Sequence, residues 1–466
     1  MLIPAEEFLE DELVPKTSPT LSSAKGFFLA CNRVLPMNFM TSLRCKECGE
    51  VYGPGKQFVC TACFGPLEVD YDYDAIGRTT SPARISQRPA NLWRYRELLP
   101  IDGEPATGFQ SGFTPLVKAS RLARALGVEE LYLKDDTVNH PTLSYKERVV
   151  SVAVTRALEL GYGTVACAST GNLANSVSAH ASRLGLPCYV FIPENVEPAK
   201  IVGSGIFRPK IICIKGNYDD VNRLCSEIGN EYGWGFVNVN LRPYYTEGAK
   251  TLGYEVAEQL GWRLPRHTVL PTAGGTLLPR IHKAYRELKT LGWVSGESRI
   301  HAAQAAGCAP VIQALHSGKK EIRPVKPNTI AHSIAIGNPA DGPYVLDCVR
   351  TSGGWGEVAT DEEIVDAIQL LAETEGIFTE PAGGTTLAVC RKLVEQGRIA
   401  RNESIVVGIT GNGYKATDSI AGRLNGGVHL SSSLRDFQSW YEKGSAEERP
   451  AARMPHAFVL RKGGSA

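Results

Sequence analysis

The stretch Val165-Ala-Cys-Ala-Ser-Thr-Gly-Asn-Leu-Ala-Asn175 joins a short apolar run to a turn of small polar residues. The apolar run 165–168 predicts a buried β-strand, and residues 173–184 after the turn are predicted to form a helix. The turn 169–172 therefore stands where a strand ends and a helix begins. A strand, a turn and a helix in this order form the repeating unit of a parallel α/β sheet.

The same alternation extends over roughly 300 residues. Short β-branched runs predict strands at 131–134, 165–168, 188–192, 211–214, 268–270 and 404–409, and longer amphipathic segments predict helices that include 146–160, 173–184 and 218–232. We therefore expect an α/β fold with a mainly parallel sheet and helices on both of its faces. Ligands of such folds bind beyond the carboxyl ends of the strands, so functional residues are expected in the strand-to-helix turns.

The composition is that of an ordinary soluble globular protein, and 466 residues predict two or three domains. The 50 Lys and Arg residues balance 49 Asp and Glu residues, so no general field attracts nucleic acid or an anionic membrane. No apolar run approaches the roughly 20 residues that cross a bilayer. Residues 1–16 are acidic and lack the basic and apolar regions of a secretory signal, so we expect a cytoplasmic protein.

Four of the twelve cysteines form two Cys-x-x-Cys pairs in a short segment, and the other eight are scattered without indicating a disulfide framework. Each pair, Cys45 with Cys48 and Cys60 with Cys63, lies in a turn that presents both thiols on one side. Four thiolates make a closed tetrahedral zinc site of the structural kind. Only eleven residues separate the pairs, which is few for a zinc ribbon, so a ribbon that keeps its shape without metal stays open. A redox pair is the weakest interpretation.

The segment His140-Pro-Thr-Leu-Ser-Tyr-Lys-Glu-Arg148 places a lysine in the first turn of a predicted helix. The positive end of the helix and the nearby Arg148 disfavour the charged form of Lys146. Such an environment suits an amine that acts first as a nucleophile and then as a base. The alternative is a surface lysine that extends beside Glu147.

Three further turns follow predicted strands. Ser169-Thr-Gly-Asn172 can bind an anionic or carboxylate group at a helix N-terminus, or can serve as an ordinary helix cap. Pro271-Thr-Ala-Gly-Gly-Thr276 can surround a phosphate with backbone N–H groups and hydroxyls. It lacks the Gly-Lys-Ser/Thr of a nucleotide-hydrolysing loop. Ile409-Thr-Gly-Asn-Gly-Tyr-Lys415 places Thr410 at the carboxyl end of the last predicted strand.

Taken in chain order, these four turns resemble the pyridoxal-phosphate (PLP) enzymes of fold type II, the tryptophan synthase β-like family. Within that family the chain is most similar to the threonine synthases. Many of these have a four-cysteine segment ahead of the catalytic region, followed by acidic residues like those of Tyr71-Asp-Tyr-Asp74. Gly112-Phe-Thr-Pro-Leu116 resembles the entry motif of the family, and the resemblance runs from about Arg44 to about Asp418.

The resemblance implies two α/β domains with mainly parallel sheets, preceded by a small zinc-ribbon-like module. We expect the chain to divide into an N-terminal arm (1–40), the four-cysteine module (41–74), a connector (75–110), a large PLP-binding domain (111–134 and 251–430), a small domain (135–250) and a C-terminal tail (431–466).

The resemblance also implies a role for each site residue. Lys146 holds PLP as a Schiff base, and Asn172 hydrogen-bonds its phenolic oxygen. The phosphate lies in the turn formed by Ala273, Gly274, Gly275 and Thr276. Thr410 hydrogen-bonds the pyridine nitrogen, and because a neutral hydroxyl does not keep the ring protonated, the ring favours elimination and replacement over transamination. The contacts expected for the anionic groups of the substrate are Arg148, Ser169 and Thr170.

The implied reaction converts O-phospho-L-homoserine and water into L-threonine and phosphate. Five residues around the lysine and the last turn depart from the usual family pattern: His140, Leu143, Tyr145, Glu147 and Tyr414. A β-replacement enzyme that uses O-phosphoserine or a related activated amino acid would look much the same, so that alternative stays open. A zinc-ribbon binding protein on a retired PLP scaffold is a third, weaker alternative. We expect a phosphorylated amino acid as substrate, no nucleic-acid or membrane partner, and a homodimer.

Overall fold

The computed structural model describes residues 39–194, 201–216, 218–423 and 427–447. All of these belong to one compact unit, Pro36–Ala466. The predicted N-terminal arm, apart from its last two residues, and the tail beyond residue 447 lie outside the described residues. Among the described helices, none is long and apolar enough to cross a bilayer.

The described strands, in chain order, are β1 (Met40–Cys45), β2 (Val51–Tyr52), β3 (Leu67–Tyr71), β4 (Leu116–Lys118), β5 (Leu131–Asp135), β6 (Val165–Ala168), β7 (Cys188–Pro193), β8 (Lys210–Ile214), β9 (Gly235–Phe236), β10 (His267–Pro271), β11 (Arg299–Ala305), β12 (Gly356–Ala359) and β13 (Ile405–Ile409).

The described α-helices are α1 (Tyr73–Thr79), α2 (Pro82–Ser86), α3 (Ser120–Leu126), α4 (Lys146–Glu159), α5 (Asn172–Leu184), α6 (Val202–Gly205), α7 (Tyr218–Tyr232), α8 (Arg242–Glu247), α9 (Lys250–Gln259), α10 (Leu277–Thr290), α11 (Pro310–His316), α12 (Gly342–Thr351), α13 (Asp361–Glu375), α14 (Pro381–Glu395) and α15 (Leu434–Glu447). Short 3-10 helices include Leu92–Leu98 in the predicted connector.

The four-cysteine segment contains a three-stranded antiparallel sheet in the order β2-β1-β3. Leu43 of β1 pairs with Tyr52 on one side and with Val69 on the other. Leu43 and Val69 are buried, so the sheet has one face in the core, as expected for antiparallel strands. The first cysteine pair begins at the end of β1, and the second pair lies just before β3.

The larger sheet has six strands in the order β12-β11-β10-β13-β5-β4, and only the edge strand β4 runs antiparallel to its neighbour. Every residue of β10 and of β13 is buried. Parallel strands covered on both faces read as continuous apolar runs, which explains why these two were recognisable in the sequence. The strand β11 was not predicted, because its sequence Arg-Ile-His-Ala-Ala-Gln-Ala contains few β-branched residues.

A second, four-stranded sheet has the order β8-β7-β6-β9, and all of its neighbouring strands are parallel. Its strands all lie between residues 165 and 236, whereas the six-stranded sheet takes its strands from both sides of that range. The predicted α/β fold with mainly parallel sheets is therefore confirmed. The domain boundaries given above stay a prediction.

Candidate active site

Three of the four turns singled out in the sequence lie at one edge of the six-stranded sheet. β10, β13 and β5 are adjacent and parallel, so their carboxyl ends meet. β5 leads into the lysine segment, β10 into the glycine-rich turn, and β13 into the turn that begins at Thr410. The sheet order therefore brings together segments that are far apart in the chain.

The lysine segment is bound directly to the turn after β13. The backbone N–H of Tyr145 donates to the carbonyl oxygen of Thr410 at 2.8 Å, and that of Asn412 donates to Leu143 at 3.1 Å. The ammonium group of Lys415 donates to the carbonyl oxygens of Thr142 and Leu143 at 2.8 and 2.9 Å. Leu143 has a φ of +59°, a conformation that glycine adopts without strain.

Lys146 is the first residue of α4 and is half-buried. Its Nζ lies 3.1 Å from the hydroxyl oxygen of Tyr245 on α8. The neighbouring Glu147 is fully buried and bonds to His180 at 2.8 Å and to the hydroxyl of Thr142. Glu147 is therefore occupied in the interior, and the alternative of a surface Lys146–Glu147 pair is wrong.

Asn172 is the first residue of α5, which follows β6 of the four-stranded sheet. Its side chain contacts residues beside the turn that follows β13 of the six-stranded sheet. Its Nδ2 donates to both carboxylate oxygens of Glu380 at 3.1 and 3.0 Å. Its Oδ1 accepts a hydrogen bond from Lys415 at 2.7 Å. Ser169 and Thr170, half-buried at the carboxyl end of β6, stand just before it. The turn 169–172 thus adjoins the turn that begins at Thr410.

The glycine-rich turn Ala273–Thr276 joins β10 to α10 and is held by Asp341. The backbone N–H of Asp341 donates to the carbonyl oxygen of Gly274 at 2.9 Å, and the hydroxyl of Thr276 donates to the Asp341 carboxylate at 3.1 Å. Gly275 has a φ of +96°, and a Cβ there would stand 2.7 Å from the backbone of Asp341. Only glycine fits that position without displacement.

The same turn retains polar groups that a phosphate would satisfy. Among the described residues, no acceptor is bonded to the backbone N–H groups of Ala273, Gly274 or Gly275. The hydroxyl of Thr272, just before them, is buried and has no hydrogen-bond partner in the described part of the chain. A Cβ added to Gly274 would meet open space. Unpaired donors beside open space before a helix N-terminus fit an anionic phosphate.

The structure contradicts the prediction that Arg148 binds the substrate. Its side chain is fully buried, and its Nε and Nη2 both donate to Asp136 at 2.7 Å. Its two Nη atoms also bond to the Glu255 carboxylate and to the hydroxyls of Thr114 and Thr251. All of the guanidinium donors have partners within the protein. Arg148 stabilises the interior beneath the lysine segment and has no donor left for a ligand.

Four residues of this region were missed as site residues by the sequence analysis: Arg242, Tyr245, Glu380 and Lys415. Only Lys415 lay in a turn that had been singled out. Arg242 and Tyr245 lie on the short helix α8, and Glu380 caps α14, so the rule that functional residues follow strands does not reach them. A glutamate immediately before Pro381 at a helix start was the available signal for Glu380.

The four predicted metal ligands form a compact cluster. The sulfur atoms of Cys45, Cys48, Cys60 and Cys63 all lie within 4.8 Å of one another, and neighbouring sulfurs are separated by 3.4 to 3.5 Å. The hydroxyl of Tyr52, 3.2 Å from the sulfur of Cys60, lowers the pKa of that thiol to about 6. Four thiols so arranged, one of them readily ionised, fit a tetrahedral zinc ion.

Comparisons with known proteins agree with the geometry. The family model described as "Pyridoxal-phosphate dependent enzyme" matches residues 109–411. A curated threonine synthase of Methanocaldococcus jannaschii is 38% identical over 81% of this chain and 93% of its own length, and that of Methanosarcina acetivorans is 38% identical over 82% and 94%.

Solved structures similar in fold include a diaminopropionate ammonia lyase of Escherichia coli (TM-score 0.57, 18% identity, 66% of this chain and 86% of that one) and maize serine racemase (TM-score 0.55, 22% identity, 72% and 93%). The solved structures show a similarity of fold alone. The match to the two curated threonine synthases, in contrast, covers nearly the whole length of those proteins. The chain therefore belongs to the pyridoxal-phosphate-dependent enzymes and, among them, to the threonine synthases.

Proposed function

We propose that this protein converts O-phospho-L-homoserine and water into L-threonine and phosphate, as a PLP-dependent carbon–oxygen lyase. The observation that carries the proposal is the convergence of the turns at Lys146, Asn172 and Thr410 through direct hydrogen bonds. The similarity to curated threonine synthases over nearly their whole length supports the choice of substrate.

The residues of the site fit the cofactor. The backbone N–H groups of Ala273, Gly274 and Gly275, which have no acceptor among the described residues, would hold its phosphate. The hydroxyl of Thr276 would join them by turning from the Asp341 carboxylate, to which it donates in this structure. Lys146 would attach the cofactor, and Thr410 would bond its ring nitrogen. Asn172 would bond its phenolic oxygen through the amide N–H groups that donate to Glu380 in this structure. When bound, PLP supplies an electron sink that stabilises negative charge at the α carbon of an amino acid.

The proton transfers of the reaction fall to Lys146. Its ε-amino group is the base that removes the proton at the α carbon and moves protons at the α and β carbons. Loss of the α and β protons lets phosphate leave from the γ carbon with the electrons of the C–O bond. The γ carbon then takes up a proton and becomes the methyl group. Water adds its oxygen at the β carbon and gives up one proton, which balances the charge of the departing phosphate, and the α carbon is protonated again. The buried Glu147 beneath Lys146 already bonds to His180, so it does not compete for the amine.

The substrate carries two anionic groups, and the site offers two places for them. The turn containing Ser169 and Thr170, at the N-terminal end of α5, suits the carboxylate. Because Arg148 is enclosed, we propose Arg242 for the substrate phosphate in its place. Arg242 keeps 32% of its side chain exposed, and its bond of 2.7 Å to Asp341 leaves further guanidinium donors for a ligand.

Product analysis with O-phosphohomoserine and O-phosphoserine as competing substrates tests the proposal. We expect phosphate and threonine to form one for one, and only from O-phosphohomoserine. The purified protein is expected to be yellow, and Lys146→Ala is expected to lose the visible band and turnover together. Consumption of O-phosphoserine with O-phosphohomoserine untouched would reject this function and favour the β-replacement alternative.

Three further predictions remain proposals. The four-cysteine cluster is proposed to bind one structural zinc ion. We also propose the cytoplasm as the compartment of this protein. A homodimer also stays a prediction, which sedimentation of the purified protein would test.

A further inference from the structure

Lys146 has a long side chain with four rotatable bonds, yet its amine has a defined place in the structure. Among the described residues, its one hydrogen-bond partner is the hydroxyl of Tyr245, at 3.1 Å. The nearest aromatic face is that of Tyr145, whose ring centre lies 4.9 Å from Nζ. No carboxylate of the described residues forms an ion pair with this amine. The position of the amine therefore depends on a phenol.

Tyr245 is well suited to hold an amine that changes its charge. A phenol accepts a hydrogen bond from an ammonium group and donates one to a neutral amine, so the contact persists in both states. A carboxylate would favour the ammonium form alone. Tyr245 is 5% exposed, and burial raises the pKa of its hydroxyl well above its usual value, although Arg242 opposes that shift. The hydroxyl therefore keeps its proton over the whole working range of pH.

The helix that carries Tyr245 is fixed at both ends. At the start of α8, Arg242 forms an ion pair with Asp341 at 2.7 Å, beside the glycine-rich turn. At its end, the buried Glu247 pairs with Lys250 and with Arg280, each at 2.7 Å. Since α8 has only six residues, anchors at both ends leave its side chains little freedom.

The four-cysteine module adds two further anchors to α8. The hydroxyl of Tyr71 in β3 donates to Glu247 at 3.0 Å. The backbone N–H of Gly55, between the two cysteine pairs, donates to the hydroxyl of Tyr244 at 3.0 Å. The module therefore holds α8 through Tyr244 and Glu247, while Tyr245 of the same helix contacts Lys146.

We propose that Tyr245 is a positioning residue for Lys146, whose hydroxyl holds the ε-amino group in place while that group receives and returns protons. This inference rests on the proposed function of Lys146. Proton transfer by a flexible amine requires that its position be restricted, and a misplacement of about 1 Å can cost on the order of 100-fold in rate. Tyr245 restricts the amine without fixing its charge.

Tyr245→Phe tests the proposal in the full-length holoenzyme, because it removes one oxygen atom and keeps the ring. We expect the variant to be yellow, to have a KM near that of the wild type, and to lose about 10- to 100-fold in kcat. The second measurement is spectroscopic. The visible band should change on mixing with L-threonine and recover on dilution, and recovery requires Lys146 to return. That recovery should be about 10-fold slower in the variant.

Tyr132→Phe is the matched control, since it removes a phenol hydroxyl from β5 whose hydrogen bond, at 2.9 Å, is to Glu130 and not to α8 or Lys146. We expect its kcat and band recovery to equal those of the wild type. Equal losses in both variants, or wild-type values for Tyr245→Phe, would overturn the role of Tyr245 alone. A wild-type protein without a visible band would instead overturn the proposed function, and this role with it.

Discussion

Replacing Arg148 by alanine distinguishes a structural role of this arginine from a substrate contact, which the sequence alone could not do. The guanidinium lies between the carboxylates of Asp136 and Glu255, and all three side chains are fully buried. Burial alone would raise the pKa of Glu255, but Arg148 and Lys134 lower it to about 2. The carboxylate therefore stays charged at neutral pH and depends on its cationic partners.

The size of the effect follows from what remains after the change. Glu255 keeps the ammonium group of Lys134 at 2.6 Å. Asp136 loses its bidentate partner and, among the described residues, its carboxylate keeps only the Thr114 hydroxyl and a long contact to Asn139. Breaking a buried pair by removing one partner costs about 3–5 kcal/mol. Against a total stability of about 5–15 kcal/mol, we expect a large loss in the free energy of unfolding.

Denaturant unfolding of the holoenzyme, with PLP at equal concentration, measures this loss. Arg223→Ala is the control, because Arg223 forms an exposed pair with Glu227 at 2.8 Å and its removal should cost about 0.5 kcal/mol or less. Adding Asp136→Asn to Arg148→Ala should recover part of the loss, since it removes the uncompensated charge.

The pH dependence gives a second check. A carboxyl whose pKa is lowered by folding contributes stability that is complete above its unfolded value, near 4.5, and is lost as the pH falls towards 2. The difference between the wild type and Arg148→Ala should therefore shrink below pH 4.5. A variant with wild-type stability at neutral pH and a kcat/KM reduced about 30- to 1000-fold would refute the structural role and restore a substrate contact.

Three further predictions concern other parts of the molecule. Metal analysis should find about one zinc per chain, and its removal should lower the melting temperature while the visible band persists; unchanged melting would indicate a ribbon without metal. Gly275→Ala should weaken PLP binding, because the added Cβ would meet Asp341. Gly261→Ala is the control, since Gly261 also has a positive φ but an added Cβ there would meet no atom. Equal PLP affinity in the two variants would contradict this prediction. His267 and His301 form a buried pair at 2.9 Å, and burial lowers the pKa of His301 to about 3. Stability from the neutral form is then complete above pH 6.5 and lost as the pH falls towards 3, about 2 kcal/mol of it between pH 7 and 5. The free energy of unfolding, measured across that range, should therefore change little in His301→Gln. The control His332→Gln, which replaces an exposed histidine, should still show the full loss.

Much of the fold was predictable because local patterns carried it. Each predicted strand coincides with an observed one, because short apolar runs with β-branched or aromatic residues favour the extended conformation. Among the strands that were not predicted, β11 contains buried His301 and Gln304, whose polar groups find partners only in the folded protein. Nothing in the local sequence of β11 indicated that these two side chains would find hydrogen-bond partners.

The sequence by itself determined the types of element, the turns that follow the strands and the lysine at the start of α4. The tertiary structure decided which turns meet, because the pairing of β5 with β13 joins residues more than 270 positions apart. It also decided the role of each charge. Arg148 and Arg242 are both arginines beside functional segments, but one is enclosed by two carboxylates and the other keeps a third of its surface open. The environment of a side chain is set by contacts distant in sequence, and so is its chemistry.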